Sequence, residues 1–245
     1  MPSRHIAAPV VPAPIQEGLQ RLRDALAVPA AFPADVLAAA EIAAKAPRPA
    51  ERADRTDIEF VTIDPEGSMD LDQAVHIAKN GSGYTVHYAI ADVASWVEPG
   101  GPIDAEAHRR GQTFYAPDQR ATLHPPALSE AAASLLADGH PRPALLWTIE
   151  LDADGAQTSA RVERSLVTSR ARLSYTEVQH DLDEGSATDS LHLLEIVGRL
   201  RQALEAERGG VSLDTPEQEI SADGHDWRLE FRAALPVEGW NAQIS

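Results

Sequence analysis

The chain is expected to be an α/β protein of the α+β kind: a mixed, mostly antiparallel sheet wrapped by helices, with a helical appendage ahead of it. Three observations predict this. From residue 57 onward, short strand-like runs alternate with turn-forming residues. Helical periodicities follow them, and residues 1–56 have an Ala- and Pro-rich texture of their own. Two regions are drawn accordingly, a helical N-terminal segment over 1–56 and a sheet-bearing domain over 57–245.

In the first region Ile15, Leu19, Leu22 and Leu26 recur at helical spacing, and a second helix runs from about Pro33 to Ala46, where Pro47 and Pro49 stop it. Strands are then expected over Ile58 to Ile63, Ala74 to Ala78 and Tyr84 to Ala91, the last two joined by the turn Asn80-Gly81-Ser82-Gly83. Within the third strand, Tyr84, Val86, Tyr88 and Ile90 share one face.

After Pro99-Gly100-Gly101-Pro102 a short helix begins near Asp104, carries Arg109 and Arg110, and ends at Gly111. A proline-rich loop containing Tyr115 follows, and Ser129 is expected to cap a short helix with Glu130 in its first turn. Leu145 to Leu151 and Ala160 to Val167 form a hairpin joined at Ala153-Asp154-Gly155. Two helices come next, about Ser174 to Leu182 and Ser190 to Arg208, the second with Leu191, Leu194, Val197, Leu200 and Leu204 on its buried stripe. The last residues, Trp240 to Ser245, read like the start of a further apolar element, so the chain is expected to be part of something longer.

Composition limits the function classes. With 245 residues and 43% hydrophobic content the chain can bury a substantial core. No apolar run is long enough for a membrane span, and the N-terminus lacks the pattern of a secretory leader. Cysteine is absent, which removes disulfides and zinc-thiolate sites and suits a reducing cytosol. A net charge of -17 argues against a polyanionic partner unless basic residues are gathered into a channel.

The chemistry-bearing feature is the stretch from Thr62 to Ala74, which holds Asp64, Glu66, Asp70 and Asp72 between two strand-like runs. Carboxylates gathered there would suit Mg²⁺, a hard cation that takes oxygen ligands and leaves room for substrate phosphates and water. Two carboxylates about 4 Å apart repel by roughly 1 kcal/mol in water and about 4 kcal/mol at an effective dielectric near 20, so convergent aspartates call for a cation. A solvated acidic turn is the bland alternative, since Asp and Gly populate turns for conformational reasons alone. An EF-hand loop fails, because Met69 stands where the sharp-turn glycine belongs and Val75 where the bidentate glutamate belongs. Neither a Gly-Lys-Ser/Thr phosphate loop nor a Gly-x-Ser-x-Gly elbow is present, and His76 and His87 sit inside strand patterns as packed histidines.

Asp64-Pro65 followed by Asp70-Leu71-Asp72-Gln73-Ala74 resembles the signature of the ribonuclease II and ribonuclease R superfamily, whose RNB catalytic domain carries four aspartates there. Three fall on Asp64, Asp70 and Asp72; the fourth falls on Gln73. The later segments Tyr88 to Ala94, Asp104 to Tyr115, Leu123 to Leu136 and Arg142 to Leu145 resemble further motifs of that family in the same order. The resemblance implies an RNB-like fold with a funnel to a buried metal site, and a cytoplasmic, Mg²⁺-dependent hydrolase. Such an enzyme degrades single-stranded RNA processively from its 3′ end and releases nucleoside 5′-monophosphates. It also implies that the family's domain continues past Ser245, into an arginine-rich segment and a base-clamping aromatic, and that residues 1–56 differ from the cold-shock modules that usually precede it.

Carried onto this sequence, the resemblance makes Asp64 and Asp72 inner-sphere ligands and Asp70 a ligand through water or at a second cation. Gln73 becomes a weak ligand or a hydrogen-bonding partner of the substrate. Tyr115 and Tyr175 are the stacking candidates, each with a half-buried structural role as its alternative. Arg109, Arg110, Arg120, Arg170 and Arg172 are the candidate phosphate contacts, although Arg109 and Arg110 could equally pair with Asp104 and Glu106 on a helix surface. A catalytically impaired RNA-binding module of the same fold, and a metal-stabilised interaction domain, are the competing readings.

Overall fold

The computed structural model describes residues 11–46, 51–212, 216–223 and 226–245. It divides into two compact units: Met1–Arg48 with Val93–Ala132 and Pro216–Ala233, and Pro49–Asp92 with Ala133–Thr215 and Ala234–Ser245. In chain order the elements are α1 (Ala13–Ala25), α2 (Ala34–Lys45), β1 (Ala53–Asp54), β2 (Phe60–Asp64), β3 (Gln73–Asn80), β4 (Gly83–Ala91) and α3 (Pro102–Arg110). Then come β5 (Phe114–Tyr115), β6 (Arg120–Ala121), β7 (Arg142–Leu151), β8 (Gln157–Val167), β9 (Ser169–Ser174), α4 (Tyr175–Glu184), α5 (Asp189–Glu207), β10 (Glu217–Asp223), β11 (Asp226–Arg232) and α6 (Pro236–Ile244). The α/β class is as expected, with both N-terminal helices in place. Pro47 and Pro49, the expected stop of the second helix, lie outside the described residues. Among the described residues no helix is long and apolar enough to cross a membrane.

The sheet of the second unit has strand order β1-β8-β7-β4-β3-β2-β9. Its four central pairings are antiparallel, whereas β1 runs parallel to β8 and β2 parallel to β9. A single residue, Thr168, separates β8 from β9, although β8 lies second in the order and β9 last. At about 3.3 Å per residue the chain cannot cross a flat sheet whose strands lie about 4.8 Å apart. The sheet is therefore strongly curled, without closing into a barrel.

Side-chain alternation builds two cores on its faces. On one face the pairs Val75 with Tyr88 and Ile77 with Val86 meet Val178 of α4, Leu191, Leu194 and Val197 of α5, and Val237 and Trp240 of α6. On the other, Phe60, Ala74, Ala89, Leu146 and Val167 enclose Leu135. Helix α5 is bound to the sheet by a backbone contact as well: the Ile77 N–H donates to Ser190 Oγ at 2.9 Å. Helix α4 starts at a capping box in which Ser174 Oγ accepts from Glu177 N and the Glu177 carboxylate accepts from Ser174 N. Gly198 lets α6 lie directly on α5, because a Cβ there would fall 2.3 Å from that of Trp240.

In the first unit α2 packs on α3, and the guanidinium of Arg110 lies 3.6 Å from the centroid of the Phe32 ring. Helix α1 is tied by Arg23, whose Nη1 donates to both Asp118 carboxylate oxygens at 2.8 and 2.9 Å. Ser129 does not cap a helix: it lies inside the helical turn Leu128–Ala132, and its hydroxyl donates back to His124 O at 3.3 Å. The proline-led turn starts one residue earlier than a side-chain cap would require, with Leu128 N bonded to Pro125 O at 2.8 Å.

Candidate functional site

The acidic loop leaves β2 at Asp64 and enters β3 at Gln73, so two neighbouring strands of one sheet hold its ends. Its centre is fixed by Leu71. This side chain is fully buried, its N–H donates to Ser134 Oγ at 3.0 Å, and its carbonyl accepts from Leu135 N at 2.7 Å. Ser134 Oγ in turn donates to Met69 O at 2.7 Å, and Asp72 O accepts from Ala91 N at 2.8 Å. Leu71 itself is buried, while Asp70 is partly buried and Asp72 is exposed.

The electrostatics show that the three aspartates share one field. Burial, then Asp72 and then Asp70, push the Asp64 carboxyl from its ordinary value up to about 7. Asp72 keeps a solvent-accessible side, yet burial of its carboxyl and the charge of Asp70 raise it as well, against a lowering by its own backbone N–H. No cationic side chain figures among the influences on either group. Arg172, on β9, donates instead to Ser68 O and to Met69 Sδ, each at 3.3 Å.

Among the described residues no three His, Cys, Asp or Glu side chains are already drawn into a metal cage. The donor set nevertheless fits a hard divalent cation: it consists of carboxylate oxygens, and the neighbouring aspartates raise the Asp64 and Asp72 carboxyls. A Mg²⁺-type ion that retains several waters needs only one or two of them directly.

Gln73 is engaged from within. Its Oε1 accepts from the Tyr88 hydroxyl and from Ser245 Oγ, the latter at 3.3 Å. Burial raises the Tyr88 hydroxyl pKa, Ser245 opposes that, and Asp72 and Asp64 add to it, which places the phenol beside the carboxylates. Tyr175, the first residue of α4, has its hydroxyl pushed up to about 12 by burial, opposed by the hydrogen bond that Asn241 Nδ2 donates at 3.3 Å; Asp64, Glu238 and Tyr88 push it further. It is half-buried against the helix-covered core.

The remaining candidates lie in the first unit. Tyr115 is exposed on β5. Arg109 pairs with Glu106 at 2.5 Å and Arg120 with Glu130 at 2.9 Å, both guanidinium groups retaining exposure. Arg110 is turned inward: its nitrogens bond Glu106, Thr122 O and Ala31 O at 2.7, 3.1 and 3.2 Å, and its side chain is 1% exposed. The helix-surface pairing weighed for Arg109 and Arg110 is thus realised through Glu106, buried for one and at the surface for the other. Asp104 pairs with His108 at 3.5 Å.

Sequence reasoning missed Tyr88, Ser134, Asn241 and Ser245. Tyr88 looks like one more apolar-face residue of β4, and only the cross-strand register, in which Gln73 pairs with Ile90, sets it diagonal to Gln73. Nothing local marks Ser134 as the partner of Leu71.

Three comparisons bear on this arrangement. The model of the RNB domain matches residues 52–232. Ribonuclease R of Escherichia coli (strain K12) is 34% identical over 177 residues, which is 69% of this chain and 22% of that protein. Among solved structures, the apo form of Mycoplasma genitalium RNase R superposes with a TM-score of 0.84 at 26% identity, over 93% of this chain and 37% of that one. The same protein in complex with ribose-methylated single-stranded RNA gives 0.75 at 25% identity, over 93% of this chain and 35% of that one. This chain therefore spans about a fifth of the length of the curated relative it matches.

Proposed function

The chain belongs to the RNB-domain ribonuclease family, and from that premise we propose that it forms the metal-binding half of a hydrolytic exoribonuclease site. The enzyme would be Mg²⁺-dependent, would act from the 3′ end of single-stranded RNA, and would release nucleoside 5′-monophosphates. The observation that carries this reading is the Asp64 carboxyl at the end of β2, which burial, Asp72 and Asp70 together raise to about 7. A family of RNA-cleaving proteins and a cluster of mutually repelling carboxylates at the family's own position support the same chemistry.

Asp64 and Asp72 would hold the cation directly and Asp70 through water. What such an ion supplies when bound is charge compensation for the phosphodiester and a lowered pKa for water. The protein's part is placement. The Leu71–Ser134 hydrogen bonds keep the loop from relaxing its repulsion by moving apart. Arg172, exposed and held at the loop's own backbone, is the phosphate contact we favour, with Arg109 and Arg120 as further candidates; Arg110 is committed to its own unit. Tyr115 offers an exposed ring for stacking on a base, worth about 1–3 kcal/mol. We assign Tyr175 to the wall behind Asp64, where its ring can still meet a terminal base. The structure of the Mycoplasma relative with single-stranded RNA supports that substrate class. The chain contains no cysteine, which suits the cytoplasm.

The test uses the full-length protein with 5′-labelled and, in parallel, 3′-labelled single-stranded RNA and Mg²⁺. A ladder shortening from the 3′ end, with mononucleotide products lost in Asp64→Asn, is expected; intact RNA at saturating Mg²⁺ would refute the activity. A second reading, an RNA-binding module of the same fold without turnover, is favoured by one observation. At the fourth aspartate position stands an amide whose oxygen already accepts from Tyr88 and Ser245. It predicts RNA retention on a filter with no hydrolysis.

A further inference from the structure

Position 73 invites a simple assumption, that an amide replacing a carboxylate remains a weaker ligand of the same ion. The hydrogen bonds argue otherwise. The only side-chain atom of Gln73 able to ligate a cation is Oε1, and this oxygen accepts from the Tyr88 hydroxyl and from Ser245 Oγ. The main donor is held by packing, since Tyr88 is 5% exposed in the helix-covered core; Ser245, which follows α6, has its N–H bonded to Asn241 O at 3.0 Å. Turning Oε1 toward a cation would strip a buried phenol of its acceptor. With the oxygen so held, Nε2 is the free end of the amide, and among the described residues no acceptor takes it up.

Resting on the function proposed above, we infer that Gln73 is a hydrogen-bond donor to a phosphodiester oxygen of the RNA rather than a metal ligand, and that Tyr88 is the positioning residue that orients it. An amide N–H₂ suits that place. Gln73 directly follows Asp72, a proposed ligand, so its donor lies next to where a cation-bound phosphate would sit. It presents positive dipole to an anionic oxygen amid carboxylates that would otherwise repel the substrate. Position 73 thereby acts on RNA through its nitrogen while Asp64, Asp70 and Asp72 act through a cation.

The two roles separate when metal and RNA are measured apart. Gln73→Met keeps the length of the side chain without its polar atoms, and Tyr88→Phe removes one oxygen; circular dichroism and thermal melting establish that each is folded. Mn²⁺ binding without RNA, followed by the electron-spin signal of the free ion, is expected to stay within about twofold of the parent chain in both variants. Binding of 5′-fluorescein-labelled, 2′-O-methylated single-stranded oligoadenylate at saturating Mn²⁺, followed by anisotropy, is expected to weaken about tenfold in each, and no further in the double variant, because both act through one hydrogen bond. A tenfold loss of Mn²⁺ affinity in Gln73→Met would make Gln73 a ligand and overturn the inference. Unchanged RNA affinity in either variant would overturn it equally, as would additive losses for Tyr88. A parent chain that binds neither Mn²⁺ nor RNA removes the proposed function along with it, an outcome distinct from normal parent binding with indifferent variants. Should Gln73→Met fail to fold, the Tyr88→Phe arm alone decides, since a loss of RNA binding with Mn²⁺ binding retained is expected from it.

Discussion

Replacing Asp64 with asparagine should stabilise the metal-free protein, which is the reverse of what removing a buried, well-paired carboxylate does. The sign follows from linkage. The Asp64 carboxyl is raised from 3.8 to about 7, so the folded chain binds this proton more tightly than the unfolded chain and loses stability as pH rises between those values. At 1.36 kcal/mol per unit, the raised pKa costs about 2 kcal/mol of stability at pH 5 and about 4 kcal/mol at pH 8, the upper figure being an order-of-magnitude bound. Urea unfolding in EDTA at these two pH values measures it. Asp64→Asn is expected to exceed the parent in stability, by more at pH 8 than at pH 5. Saturating Mg²⁺ should reverse the ranking, because only the parent gains from the bound ion. A variant equal to or weaker than the parent at pH 8 in EDTA would show that the three aspartates do not burden one another, and the reasoning from charge to metal site would fail.

Three other substitutions probe the supports of the site. Ser134→Ala removes the hydroxyl that accepts from Leu71 N and donates to Met69 O, and should cost about 1–3 kcal/mol in urea unfolding while weakening Mn²⁺ binding. Unchanged metal affinity would mean that the loop holds its shape without that link. Gly198→Ala puts a Cβ against Trp240 and should lower the melting temperature by an amount equivalent to about 1–3 kcal/mol, with loss of tryptophan fluorescence anisotropy if α6 detaches. Arg52→Met breaks a pair in which Arg52 Nη2 lies 2.7 Å from Asp92 Oδ2, both side chains being 7% exposed; removing one partner of such a pair costs about 3–5 kcal/mol. A loss under about 1 kcal/mol would show that water or other groups compensate Asp92.

The legible parts of this protein were those written in neighbouring residues. Alternation in Tyr84 to Ile90, the Asn80 to Gly83 turn, and the helix start near Ser174 all act within a few residues, and each element appeared close to where its pattern lies. Strand β9 was not seen, because Ser169–Ser174 becomes a strand only by lying parallel to β2, more than a hundred residues earlier in the chain. The Ser129 cap failed for a related reason: proline-directed turn geometry at Pro125 set the helical start first. Arg110 looked like a surface cation because its helix is short and polar, yet Glu106, Phe32 and two distant carbonyls draw it inward.

The acidic loop divides in the same way. The sequence alone determined which carboxylates exist, their spacing, and the departure at Gln73, since these are covalent facts of one segment. Tertiary structure alone decided that Leu71 is buried against Ser134, that Asp70 and Asp72 bear on the Asp64 carboxyl, and that Tyr88 holds the oxygen of Gln73. Those outcomes depend on strand register and on helices packing across one sheet face, and contacts between residues far apart in the chain leave no periodicity behind.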